Sequence, residues 1–298
     1  MIAALTKELE DTDRTAVVAA DLSKFDSEDE FNSLSVDLMV EVGCLLCIAV
    51  NILPTSETGW NRDQAIVGGL GVRLFKLIDA MLDQTCKHRR ETAFIFARLI
   101  YETIVNLIVL AKTSDPDLFA SYVAYSMKHE KKLLDRINKN IAKRSGSALP
   151  IERRMIDSIM RKAAASGFDI HSASPSSPKN WGDMTLYEKS ERIGFGDVYL
   201  GAFSGPSHNV HGNWMDILEY HLEVKDGGFY PRIEWARPKP QVLLALAKLT
   251  IDAIREFMNF IGHLAARVLF EARLRDLWDR ILLVDTAHEE YLTLRQKS

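Results

Sequence analysis

From Ala93 to Leu110 the chain carries apolar side chains on nearly every side of a helix, and its principal polar residues are Arg98, Glu102 and Asn106. Their four-residue spacing puts all three on one face. A helix that is apolar all round belongs in the middle of a fold. A guanidinium or carboxylate removed from water there needs partners, because its desolvation is costly. Arg98, Glu102 and Asn106 are therefore expected to form a polar seam inside the core. The seam has two readings: a structural ion pair that fixes packing, or the floor of a binding or catalytic pocket.

The rest of the chain is consistent with such a central helix. Only 16 Gly and 9 Pro in 298 residues argue against a turn-rich β architecture. Helical periodicity covers Phe31–Leu53, 61–87, 90–112, Pro116–Arg144 and Pro150–Ala165, with Asp115 placed to cap the helix that begins at Pro116. Gly68, Gly69 and Gly71 interrupt the second of these and are expected to permit close helix contact. The stretch from Phe168 to Asp183, with its Ser/Pro cluster at Ser172–Pro178, reads as a lid-like connection. Short helices are expected over Leu186–Arg192 and Phe195–Phe203, a turn over Ser204–Asn213, and a further helix from Trp214 to Leu222. Asp226-Gly227-Gly228 signals a hairpin with arms His221–Lys225 and Phe229–Trp235. One or two long helices then run from Gln241 to Gln296.

The expected fold class is thus all-α: a multi-helix bundle with a small β-hairpin near 221–235 and long C-terminal helices. Three parts are expected. They are an N-terminal helical extension over 1–60, a helical core over 61–225, and the hairpin with C-terminal helices over 226–298, packing on the core or on a second subunit.

Net charge is −4, which excludes a general polyanion binder. That average hides an uneven distribution. From Lys128 to Lys162 eleven basic residues stand against four acids, an excess of about seven, so the remainder carries about −11. Arg153 and Arg154, close to a turn, suit contact with a phosphate backbone, although a lysine-rich helical face is also an ordinary solvated surface.

The three cysteines, Cys44, Cys47 and Cys86, cannot form a disulfide framework. Cys44 and Cys47 read as small core residues rather than zinc ligands, and no metal or other cofactor is expected. The N-terminus lacks the order of a signal peptide. The apolar run Val42–Val50 is too short to span a bilayer, so a cytoplasmic protein without a membrane partner is expected.

A second constellation lies between Tyr199 and Trp214, where Ser207, His208 and His211 crowd between Gly205 and Gly212 and Asn213 follows directly. Histidine can donate or accept a proton near neutral pH, and Ser or Tyr can orient it. The catalytic candidates are therefore Arg98, Glu102, His211 and Ser207. The candidate substrate contacts are Asn106, Tyr199, His208, Asn213, Arg153 and Arg154. A structural, capping role for the histidines is the alternative.

These residues carry a resemblance. The Arg98-x3-Glu102 pair on an apolar helix, the Asp115-Pro116 break followed by Tyr122 and Tyr125, the isolated Trp181, and Tyr199 followed by Ser207-x3-His211-Gly212 resemble the bacterial "domain of unknown function 5677" family over about 68–218. The resemblance implies an all-helical fold. The family is distantly similar to HEPN proteins, helical toxins and defence ribonucleases that pair an Arg with a His four to six residues later. This chain lacks that motif, having Ser207 where Arg would stand. What the likeness implies is a metal-independent ribonuclease or nucleotide-binding toxin or phage-defence component, in which Arg98 supplies the guanidinium and Glu102 holds it. The alternative is a non-enzymatic helical interaction module with a structural Arg-Glu-His network, associating through its C-terminal helices into a homo-oligomer.

Overall fold

The computed structural model describes residues 2–54, 59–171, 179–262 and 264–295. The Ser172–Pro178 cluster, expected to be lid-like, lies outside them. The protein is all-α with one small antiparallel hairpin. It divides into two compact units, residues 1–112 with 189–298 and residues 113–188.

The larger unit is organised around α3 (Glu28–Val50), α4 (Arg62–Cys86), α5 (Arg90–Thr113), α12 (Pro240–Ile261) and α13 (Leu264–Arg295). Local sequence explains where these helices start. Glu30 accepts the N–H groups of Asp26 and Ser27 ahead of α3, and Asn61 and Gln64 exchange backbone bonds at the start of α4. Pro240 opens α12, where its missing N–H costs nothing, and Gly262 closes it at φ 74°.

Glycine in α4 acts at two positions. A Cβ on Gly68 would fall within 2.4 Å of the Trp60 ring, and one on Gly71 within 2.6 Å of Val50 from α3. Gly69 faces open space and has no such role.

The segment expected as an attached extension is central to this unit. Leu38, Met39, Val42, Leu45 and Leu46 of α3 are fully buried and pack against α12 and α4. α1 (Ile2–Asp11) docks through Leu5 and Leu9 beside α3 and α13, and a single turn, α2 (Ala19–Leu22), follows it. The nine-residue apolar run around Val42–Val50 is part of a 23-residue helix. By length and composition α3 and α5 are each long and apolar enough to cross a membrane, and each buries much of its surface inside the protein.

The cysteines depart from expectation. Cys44 is exposed and Cys47 half-buried on α3, and Cys86 is exposed at the end of α4. Among the described residues no group of three or more His, Cys, Asp or Glu side chains is placed to hold a metal ion.

The end of α8 (Leu186–Arg192) and the following segment belong to the same unit. α9 (Gly196–Tyr199) runs into a π-helical turn over Leu200–Ser204, then α10 (Gly205–His211), the single turn α11 (Trp214–Asp216) and a second π-helical turn over Ile217–His221. The expected turn over Ser204–Asn213 is therefore largely helix. Gly205 and Pro206 sit at its first positions, where proline is tolerated, and Gly212 at φ 55° ends it. The hairpin pairs Leu222–Lys225 with Gly228–Pro231, and Asp226 and Gly227, both at positive φ, make its two-residue turn.

The smaller unit is built on α6 (Pro116–Lys143) and α7 (Pro150–Ala165). Asp115 caps α6 by accepting the Asp117 N–H. Trp181 is buried edge-on to Tyr122 at 5.3 Å, and the Gly182 N–H donates to Ser121 Oγ at 2.8 Å. Glu152 accepts the Leu149 N–H and pairs with Arg144, and these bonds hold its carboxyl below the usual range.

Candidate functional site

The polar face of α5 does not form the structural ion pair that is one of its two readings. Arg98, Glu102 and Asn106 are each half-buried, and the neighbouring Tyr101, Ile100 and Ile104 take the fully buried face. Arg98 and Glu102 do not pair. Successive side chains on one helix face need not meet when a better partner reaches across, and here that partner is Ser207.

Ser207 Oγ accepts from Arg98 Nε at 3.0 Å and donates to the Phe203 carbonyl at 2.6 Å. Its hydroxyl proton and one of its two lone pairs are in use, and this serine positions the guanidinium. The Phe203 ring lies under the same group, 4.7 Å from its central carbon, and adds a cation–π contact. Phe203 packs against Tyr199 at 5.1 Å and Tyr101 at 6.1 Å. Tyr101 is anchored in the core, its hydroxyl 3.0 Å from Ser190 Oγ and 3.2 Å from the Phe195 carbonyl. Burial raises the Tyr101 and Tyr199 hydroxyls above their ordinary pKa; for Tyr199 the Arg98 charge opposes the rise.

The result is a guanidinium held on one edge and one face. Among the described residues, no partner engages its two terminal nitrogens. Glu102 and Asn106 continue the polar face along α5 without a hydrogen bond to a described side chain.

α10 carries Ser207 and, one turn later, His211, which is exposed. His208 and Asn213 are engaged locally. Asn213 Oδ1 accepts the N–H groups of Met215 and Asp216 and so caps α11. That fixes its amide orientation, so Asn213 Nδ2 faces His208 Nδ1 at 2.5 Å. Asn213 is a capping residue as well as a candidate contact. Arg153 and Arg154 are exposed on α7 and belong to the smaller unit.

Residues 64–229, more than half of the chain, match the family described as "Family of unknown function (DUF5677)". The chain belongs to that family. The DUF5677 region contains Arg98, Glu102, Tyr199, Ser207 and His211, and it spans the whole smaller unit. No curated protein and no solved structure matches the chain. The further likeness to HEPN proteins rests on the sequence reading alone.

One cluster escaped that reading. Glu41 on α3 has its side chain 1% exposed and accepts two bonds from Arg280 at 2.7 Å each, one from Arg273 at 3.3 Å and one from the Thr15 N–H at 3.0 Å. Arg280 also bonds the Thr15 carbonyl and Asp276, and Arg14 reaches Asp276. The network ties α3, α13 and the strap after α1 together, wholly outside the DUF5677 region. A single acid between Val40 and Val42 on an apolar helix was its signal.

Proposed function

We propose that Arg98, positioned by Ser207, binds a phosphoryl group of RNA or of a nucleotide with His211 as its proton acceptor, and that the protein is a cytoplasmic, metal-independent ribonuclease or nucleotide-binding component of a toxin or antiviral-defence system. The observation that supports this reading is the half-satisfied guanidinium. Arg98 is fixed through Nε and its π face, while no described residue engages its two terminal nitrogens, the edge that grips two phosphate oxygens.

In this reading His211 takes the proton of a ribose 2′-hydroxyl. The 2′-oxygen attacks the adjacent phosphorus, the 5′-oxygen leaves with a proton from solvent, and a cyclic phosphate results. Arg98 stabilises the charge that develops on the phosphorane oxygens. Glu102 and Asn106 offer acceptors and a donor to the sugar or base. In the smaller unit Lys132, Arg136, Lys139, Arg153, Arg154 and Arg161 are exposed and carry no ion pair with a described residue, which suits backbone contacts.

The test is cleavage of a mixed RNA by the purified chain beside His211→Ala and Arg98→Ala, with growth arrest on expression as a second readout. Loss of both activities at unchanged melting temperature is the expected result. Equal activity in all three proteins would overturn the reading.

A second reading, a non-enzymatic interaction module, is favoured by a different observation. Phe229, Ile233 and Trp235 near the hairpin and Leu264 and Val268 on α13 are more than half exposed. Association of copies through the C-terminal helices would cover the latter pair, and light scattering across a concentration series tests it.

A further inference from the structure

A cavity of about 570 Å³ opens in the larger unit between α5, α9, α12 and α13, at Ala97, the residue before Arg98. Its walls are apolar: Phe195 and Val198 on one side, Ala245, Leu246 and Leu249 on α12, and Trp278 on α13. A volume of this order suits a small organic molecule.

Apart from Lys248, the polar side chains at the cavity present acceptors. Gln241 Oε1, Asp197 and Asp252 line the cavity, and all three offer acceptors. Among the described residues Gln241 Oε1 is buried without a hydrogen-bond partner, an unmet acceptor that a ligand donor would satisfy. Asp252 is bonded through one oxygen to Arg255 at 3.2 Å, and among the described residues no donor engages its second oxygen; burial pushes its carboxyl above the usual range. Asp197 has no ion pair among the described residues.

The cationic side chain at the wall is already committed. Lys248 Nζ sits 2.7 Å from Asp285, and Arg255, next to the cavity, is divided between Asp252 and Glu271. An anion would therefore meet two carboxylates and no free cation. A molecule with a positive, hydrogen-bond-donating head and an apolar body would meet complementary charge and complementary walls.

We infer that this cavity is a binding site for an organic ammonium compound bearing an aromatic or aliphatic body, whose head is held by Asp252, Asp197 and Gln241 and whose body lies among Val198, Leu249 and Trp278. The inference does not depend on the phosphoryl-binding reading, because it uses neither Arg98 nor His211.

The test titrates phenethylammonium and its neutral isostere 2-phenylethanol into the full-length protein by calorimetry. A charge-assisted bond favours the ammonium by about tenfold or more. Asp197→Asn should weaken the ammonium by about tenfold and leave the alcohol unchanged. Ala245→Phe should fill the cavity and abolish both, with the circular-dichroism melt checking the fold; if it fails to fold, Val198→Phe at the more exposed wall replaces it. Equal affinity for the two probes, ammonium binding that survives the filling substitution, or no binding of either at millimolar concentration would each overturn the assignment.

Discussion

Glu41 and Arg98 pose the same problem to the fold, a charge in the largely apolar stretch of a long helix, and the protein answers it in opposite ways. Glu41 is buried and has four bonds to two guanidiniums and a backbone amide, so both carboxylate oxygens are used. Arg98 is half-buried, is held at one nitrogen and one face, and has two nitrogens that no described residue engages. The first arrangement leaves no capacity for a ligand. The second spends part of the protein's bonding on fixing a group and leaves the rest of that group unsatisfied. Their positions agree with this division: the open cluster lies inside the DUF5677 region, and the saturated one lies outside it.

The comparison breaks first at Glu41. Glu41→Ala leaves Arg280 and Arg273 facing a desolvated site without their anion, and the larger unit should lose about 3–5 kcal/mol in denaturant unfolding. A loss comparable to that of an exposed ion pair would mean that the network is decorative.

Arg98→Ala is the matching experiment. It should change unfolding by less than about 1 kcal/mol, because the side chain can be removed without stranding a buried partner. The same variant should lose about a hundredfold or more in RNA cleavage. Strong destabilisation by Arg98→Ala would instead place both charges in one structural class.

A third prediction concerns the other end of the α3–α13 seam. His288 is fully buried, and neither ring nitrogen has a hydrogen-bond partner; Phe31 lies 4.9 Å away, centroid to centroid, and Glu28 approaches at 3.8 Å. Burial holds its pKa below the ordinary value, against the pull of Glu28, Glu289 and Asp285, with Lys239 adding to the depression. As pH falls through about 6.5 the unfolded chain takes up the proton before the folded one does, so stability drops there. His288→Phe should flatten that part of the stability–pH curve, measured by unfolding between neutral and mildly acidic pH.

The smallest effect is expected at Ser207. Ser207→Ala removes the bond that orients Arg98 and should weaken nucleotide or RNA binding about 2- to 10-fold with the melting temperature unchanged. An equal loss for Ser207→Ala and Arg98→Ala would give the hydroxyl a direct role in the chemistry.

Much of the fold was legible because its signals are local. Asp115-Pro116 stops one helix and starts the next, Asp226-Gly227 can take the positive φ values of a tight hairpin turn, and the apolar periodicity marks α3 to α7 within a few residues. Local signals misled where two rules compete. Gly205, Pro206 and Gly212 read as a turn, yet proline and glycine at the ends of a short helix are equally acceptable, and α10 forms between them. The exposed faces of Cys44 and Cys86 likewise depend on which side of each helix its neighbours cover.

The site was legible in part. The face-sharing of Arg98, Glu102 and Asn106 follows from helical spacing, and the meeting of Arg98 with Ser207 could only be guessed, since 109 residues separate them. Asn213 and His208 were visible as polar residues, while their capping geometry was not.

What the sequence determined alone is the helical composition, the hairpin turn and the existence of charges on apolar helices, because these follow from propensity, φ limits and periodicity within a few residues. Tertiary structure decided which of those charges became saturated. Arg280 and Arg273 reach Glu41 from more than 230 residues away, and Ser207 engages one edge of Arg98. Whether a buried charge is a clamp or an open site depends on the number of partners that distant segments bring within about 3 Å, a quantity that helical spacing does not contain.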